Sequence, residues 1–69
     1  MTIHNRLREL RAKHDMTQED LAKKVGVTRQ TILAIEKGEY LPSLELGFKL
    51  ATAFKLSVDQ IFILQTQMN

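Results

Sequence analysis

The chain has 69 residues, no Cys, and a formal net charge of +2. That length permits one domain around one small core, near the limit of independent stability, so association with a second copy is expected. Without Cys there is neither a disulfide framework nor a thiolate metal site, and the longest apolar runs are too short to span a membrane. The opening MTIHNRLREL holds no uninterrupted apolar signal region, so a cytoplasmic protein is expected.

The charge is unevenly spread. Residues 1–38 hold eight Lys/Arg against five Asp/Glu, a net +3, while residues 39–69 hold two against three, a net −1, which together restore the +2 of the whole chain. An asymmetry of this sign suits one face turned to phosphates, although ordinary solvated helix charges give the same pattern.

In chain order, Met1 to His4 reads as a short strand or a frayed end. Asn5 can cap a first helix running to about His14, with Leu7, Leu10 and His14 at helical spacing and Ile3 extending the stripe. Thr17 caps a second helix, Gln18 to Val25, that turns Leu21, Ala22 and Val25 inward. Its first turn carries Glu19 and Asp20, which complement the helix dipole. Gly26 can take the left-handed conformation that ends this helix. Thr28 caps a third, Arg29 to about Lys37, with Ile32 and Ile35 inward and Gly38 as its stop. Met16 with Leu21, and Val27 with Ile32, stand where hydrophobic staples fix the entry of the chain into each helix.

Pro42 keeps the preceding residue out of helical geometry, so Glu39 to Pro42 is a loop. Ser43 caps a fourth helix, Leu44 to about Phe54, burying Leu46, Leu50, Ala51 and Phe54. Gly47 weakens that helix by about 1 kcal/mol relative to Ala, which a closely packed neighbour would explain. Ser57 and Gln60 form a capping box for a short fifth helix, with Leu56 and Ile61 as a third staple. The tail Ile61-Phe62-Ile63-Leu64 carries four apolar residues in succession, more than a terminal helix turn needs. Ile63, Leu64 and Thr66 suit a strand, and Met1 to Ile3 can pair with it. A dimer contact through Ile61, Phe62, Ile63 and Leu64, within a tail of residues 61–69, is expected, against the alternative of a tail folded onto its own domain. The fold class is all-α, five helices in one domain spanning 1–69, with short strands at both ends.

Two short capped helices joined by a turn containing Gly, residues 17–38, make a helix-turn-helix, whose second helix can enter a DNA major groove. The outward residues in the first two turns of that helix are then the base readers. Arg29 suits guanine O6 and N7, and Gln30 suits adenine N6 and N7. Arg29 bound only to a phosphate is the simpler alternative. Leu33 and Ala34 lie further along the face, apolar where a solvated helix is usually polar. Contact with a thymine methyl accounts for this, as does partial burial of Leu33. Phosphate contacts are expected from Gln18, Thr28, Thr31, Lys37, Tyr40 and Ser43, the first at a helix N-terminus that favours anions. Thr28 also serves as a cap, and Tyr40 can instead pack on Leu41 and Leu44.

The segment from Thr17 to Phe62 resembles the Cro/CI-type (XRE-like) helix-turn-helix of bacterial and phage repressors. The matching marks are Gln18, Ala22, Gly26, Ile32 and Ile35, then Ile35-Glu36-Lys37-Gly38 and Pro42-Ser43-Leu44. The likeness covers about residues 5–62 and is closest to short members without an effector domain, such as the cytolysin repressor type. The resemblance implies a five-helix lambda-repressor-like domain with added terminal strands, and a homodimer on double-stranded DNA that represses transcription at an inverted repeat. It places Arg29 and Gln30 at base-reading positions and Gln18 on a phosphate. It further implies an ion pair between Arg11 and Glu36, with Arg11 near a phosphate as well.

Enzyme chemistry is not expected. Ser43 and Ser57 are explained as caps, and His4 and His14 stand ten residues apart with no acidic ligand at metal spacing. No cofactor or metal is implied. Within binding proteins, an antitoxin that also binds its own operator shares this fold. A protein-interaction module would more often present an apolar anchor than an Arg/Gln helix. An RNA binder would need the aromatic stacking surface that single strands favour, which this chain lacks.

Overall fold

The computed structural model describes residues 2–65. The order is β1 (Thr2–Asn5), α1 (Leu7–Lys13), α2 (Gln18–Val25), α3 (Arg29–Glu36), α4 (Leu44–Phe54), α5 (Val58–Ile61) and β2 (Phe62–Gln65). Met1 and the end of the expected tail contact, residues 66–69, lie outside the described range.

The helix boundaries follow from local chemistry. Thr17 Oγ1 accepts from the Asp20 N–H at 3.0 Å, while Asp20 Oδ2 accepts from the Thr17 N–H at 2.9 Å, a reciprocal cap with Asp in the place Glu usually takes. Thr28 and Ser43 accept from the Thr31 and Leu46 N–H groups, both at 3.2 Å. Gly26 at φ 78° closes α2. Gly38 at φ 76° lets the chain fold back after α3, so that the Gly38 and Glu39 N–H groups donate to the Ile35 and Ala34 carbonyls.

Two expectations at the start of the chain need correction. Arg6, not Asn5, occupies the cap position of α1. Asn5 ends β1 and serves from one residue further out: its Oδ1 accepts from the Leu7 N–H and its Nδ2 donates to the Ile35 carbonyl at 2.8 Å. Ile3 does not continue the α1 stripe, because strand pairing carries it out of the helix. His14 is exposed, with its ring tilted against Phe54 at a centroid distance of 5.4 Å.

The core is a single cluster. Leu7, Leu21, Ile32, Ile35, Leu50 and Ile61 are fully buried, with Met16, Val27, Leu56, Val58 and Phe62 half-buried against it. Leu21 and Ile32 belong to this cluster and Met16 and Val27 pack against it, as the expected staples of α2 and α3 require. Gly47 is buried, yet a Cβ built on it meets nothing within 4 Å. No neighbouring helix requires its smallness, contrary to expectation.

The two strands pair antiparallel, with Ile3 opposite Leu64, His4 opposite Ile63 and Asn5 opposite Phe62. Side chains alternate along a strand. Ile3, Asn5, Phe62 and Leu64 therefore share the face that begins against the core, and His4 and Ile63 share the other. This divides the expected dimer residues into three environments. Ile61 is fully buried in its own domain, and Phe62 packs on the core. Ile63 and Leu64 are exposed on opposite faces of the ribbon. The four apolar residues do not form one contact surface, because Ile61 ends α5 and the strand that follows alternates.

Candidate nucleic-acid interface

The N-termini of α2 and α3 come together at Gln18 and Arg29, where Arg29 Nε donates to Gln18 Oε1 at 3.3 Å. Every other helix has a carboxylate in its first turn: Glu9, Glu19 with Asp20, Glu45 and Asp59. The first turn of α3 has none. A helix start with free N–H groups and no carboxylate beside it is suited to a polyanion.

Along α3, Ile32 and Ile35 face the core, so the helical period sets the opposite face. Gln30 and Lys37, seven residues apart, fall on one exposed line. Leu33 and Ala34 flank it, half-buried, and neither belongs to the core or to the apolar side chains packed against it. A shallow concavity beside them is lined by Thr28, Gln30, Thr31, Ala34 and Tyr40. The Thr28 and Thr31 hydroxyls are 3.0 Å apart. Tyr40 therefore belongs to the α3 face, although it also lines a hollow with Leu41 and Phe62.

Behind this surface lies Glu36, whose side chain is 1% exposed. Arg11 donates to it through Nε and Nη2, and Arg11 Nη1 donates to the Met16 carbonyl at 3.0 Å. The guanidinium thereby ties α1 to α3 and to the turn before α2. Gln18 Nε2 also donates to Glu36, at 3.1 Å. Two expected phosphate residues thus have structural commitments. Arg11, 15% exposed, is engaged with Glu36, and Gln18 spends one amide hydrogen there. Ser43 stands apart: it caps α4 and lines an apolar groove with Ile3, Leu41, Leu44, Gly47, Val58 and Phe62.

Arg8, not among the expected contact residues, also belongs to this surface. Its side chain is 74% exposed and its Nε lies 3.9 Å from Glu36 Oε1. The signal was present, since Arg8 precedes Arg11 by three residues and so shares its helix face. With Glu36 already matched by Arg11, Arg8 and Arg29 add two cations to this surface. The Asp20 carboxyl is held below its ordinary range, chiefly by the Thr17 backbone N–H and then by its hydroxyl. Among the described residues, no His, Cys, Asp and Glu cluster suited to a metal forms, and no helix is long and apolar enough to cross a membrane.

Comparison with known proteins agrees with this geometry. The helix-turn-helix family model HTH_3 matches residues 7–61. An HTH-type transcriptional regulator of Methanocaldococcus jannaschii is 59% identical over 61 residues, which cover 88% of this chain and 92% of that protein. The cryptic phage CTXphi transcriptional repressor RstR of Vibrio cholerae is 37% identical over 57 residues, covering 83% of this chain and 51% of the repressor. Among solved structures, the restriction-modification controller protein C.AhdI from Aeromonas hydrophila superposes with a TM-score of 0.74 at 38% identity, covering 80% of this chain and 83% of that one. These relatives are regulators, not enzymes. With α2 and α3 set as a capped pair and matched across nearly the whole chain, this protein belongs to the helix-turn-helix (XRE-like) family of DNA-binding transcriptional regulators.

Proposed function

We propose that this protein is a sequence-specific repressor that binds an inverted-repeat operator in double-stranded DNA as a homodimer. The observation that carries the reading is the α3 surface: an N-terminus without carboxylates, bearing exposed Arg29 and Gln30 beside Leu33 and Ala34. Arg29 and Gln30 read base edges, and Leu33 and Ala34 meet thymine methyls. Gln18, Thr28, Thr31, Lys37 and Tyr40 hold the phosphates. Arg8 takes the phosphate role expected of Arg11, which is engaged with Glu36. Repression is supported by likeness to a protein named a repressor.

The dimer reading rests on an uncovered apolar face. Leu44 is 72% exposed and Leu41 63%, and they border the groove that Ile3 and Phe62 also line. Leu64 lies on the same ribbon face as Ile3 and Phe62. This face replaces the run Ile61 to Leu64 as the proposed contact, since Ile61 is spent on the core. A twofold dimer sets two α3 helices in successive major grooves, with half-site centres about 34–36 Å apart.

Selection from a pool of random duplexes, followed by mass measurement of the bound species, tests the reading. Enrichment of an inverted repeat bound by two chains is expected. Recovery of no enriched duplex, or one chain per site, overturns it.

A further inference from the structure

A third surface lies between the end of α2 and the side of α4. Glu45, Phe48, Lys49 and Thr52 stand at three- and four-residue spacings, so they form one stripe along α4, beside the buried Leu46, Leu50 and Phe54. This stripe and the last turn of α2 border an open groove of about 680 Å³, which Val25 and Ala53 also line. Phe48 is 58% exposed and belongs neither to the core nor to the side chains packed against it. A ring left largely in water adds little to the stability of its own fold, and gains when something covers it. Thr52 Oγ1 donates to the Phe48 carbonyl at 2.9 Å, so its hydroxyl hydrogen is spent within α4. The charge left around the ring is positive. Lys49 pairs with Glu45 at 3.1 Å, whereas Lys23 and Lys24 make no ion pair among the described residues. The dipole at the end of α2 accounts for those two lysines, but not for Phe48 beside them.

We propose that this groove binds an acidic segment of another protein, which lays an apolar side chain on Phe48 and sets carboxylates against Lys23 and Lys24. Charge complementarity selects the partner. Three lysines against one carboxylate favour a segment rich in Asp and Glu, and the ring favours an apolar anchor within it. A DNA backbone supplies phosphates but nothing to cover the ring. Gly26 also lies eight residues beyond Gln18, about 12 Å along the axis from the helix start assigned to phosphates. A second copy meeting this groove by the same face would set lysine against lysine. No residue of the groove lines the α3 concavity or the apolar groove proposed for the dimer. The segment therefore gives a second protein a hold on the regulator while both of those surfaces are in use.

The test pans a phage-displayed library of random peptides against the full chain, and the recovered peptides are resynthesised and titrated. Enrichment of peptides that combine Asp or Glu with an apolar residue is expected. Phe48→Ala should weaken their binding about tenfold or more, and Lys23→Gln with Lys24→Gln about tenfold at low salt. Phe48 and both lysines are exposed, so these variants should melt with the parent and keep its mass in sedimentation. An excess of double-stranded DNA should not displace the peptides. Recovery of no enriched peptide, of peptides without acidic bias, or of peptides that bind Phe48→Ala as well as the parent overturns the proposal. Displacement by DNA assigns the groove to phosphates, and a lower sedimentation mass for Phe48→Ala assigns it to a second copy. Either outcome overturns the proposal as well.

Discussion

Two surfaces of this molecule that call for a partner are built by opposite means. At the start of α3 the polar groups are bonded to one another and rest on a buried carboxylate, so the surface is ordered before any ligand arrives. Around Leu41, Leu44 and Ile3 the side chains are apolar and exposed. The first kind of surface exchanges water for phosphate and base edges, and gains selectivity from being held in place. The second gains only from being covered, and any apolar surface of matching shape can cover it. On the proposed function, specificity for DNA belongs to the first, and the doubling of the reading unit to the second.

Separating the two surfaces should give the largest effect. Leu44→Asp combined with Leu64→Asp leaves α3 intact and places charge on the apolar face. It should yield a monomer by sedimentation and weaken operator binding by about 100-fold or more, because the second α3 is no longer tethered to the first. Phe62 is left alone because it packs on its own core. An unchanged mass removes this face from the dimer.

Glu36→Ala acts on the first surface through folding. It leaves Arg11 largely enclosed without its carboxylate, which should cost about 3 kcal/mol by urea denaturation. Arg11→Met in the same chain should recover part of that loss. Arg29→Ala should cost about 1–3 kcal/mol at the best duplex and relax one base position. Lys37→Ala should weaken all duplexes alike and lower the salt slope by about 1. Loss of base discrimination with Lys37→Ala would erase the distinction between reader and phosphate contact.

Gly47→Ala should raise stability by about 1 kcal/mol, since the added methyl replaces helix-interior glycine and meets no neighbour. A loss in thermal melting would show that the groove closes on it. The smallest effect is at the Thr17–Asp20 cap. The carboxyl is depressed in the folded state, so its contribution is full above the ordinary carboxylate range and is lost as pH falls through the depressed value. The melting difference between the protein and Asp20→Asn should therefore be present at neutral pH and shrink in acid. A difference that grows in acid contradicts this.

The chain sequence determined the elements by itself. Threonine caps, left-handed glycines and apolar residues at three- and four-residue spacing act over one helical turn, so α2, α3 and α4 are legible where they occur. Residues 29 and 30 as an outward pair follow from the same period once Ile32 and Ile35 are assigned inward. Only the tertiary structure decided what depends on distant partners. Ile61 looked like surplus apolar surface until the core around Leu7 and Leu50 took it in. Ile63 and Leu64 parted once strand pairing set their faces. Arg11 and Glu36 stand 25 residues apart, and nothing in either local stretch shows that they enclose each other or that Gln18 bonds the same carboxylate. Periodicity records which side of an element is apolar, whereas burial and hydrogen-bond direction depend on what the fold brings against that side.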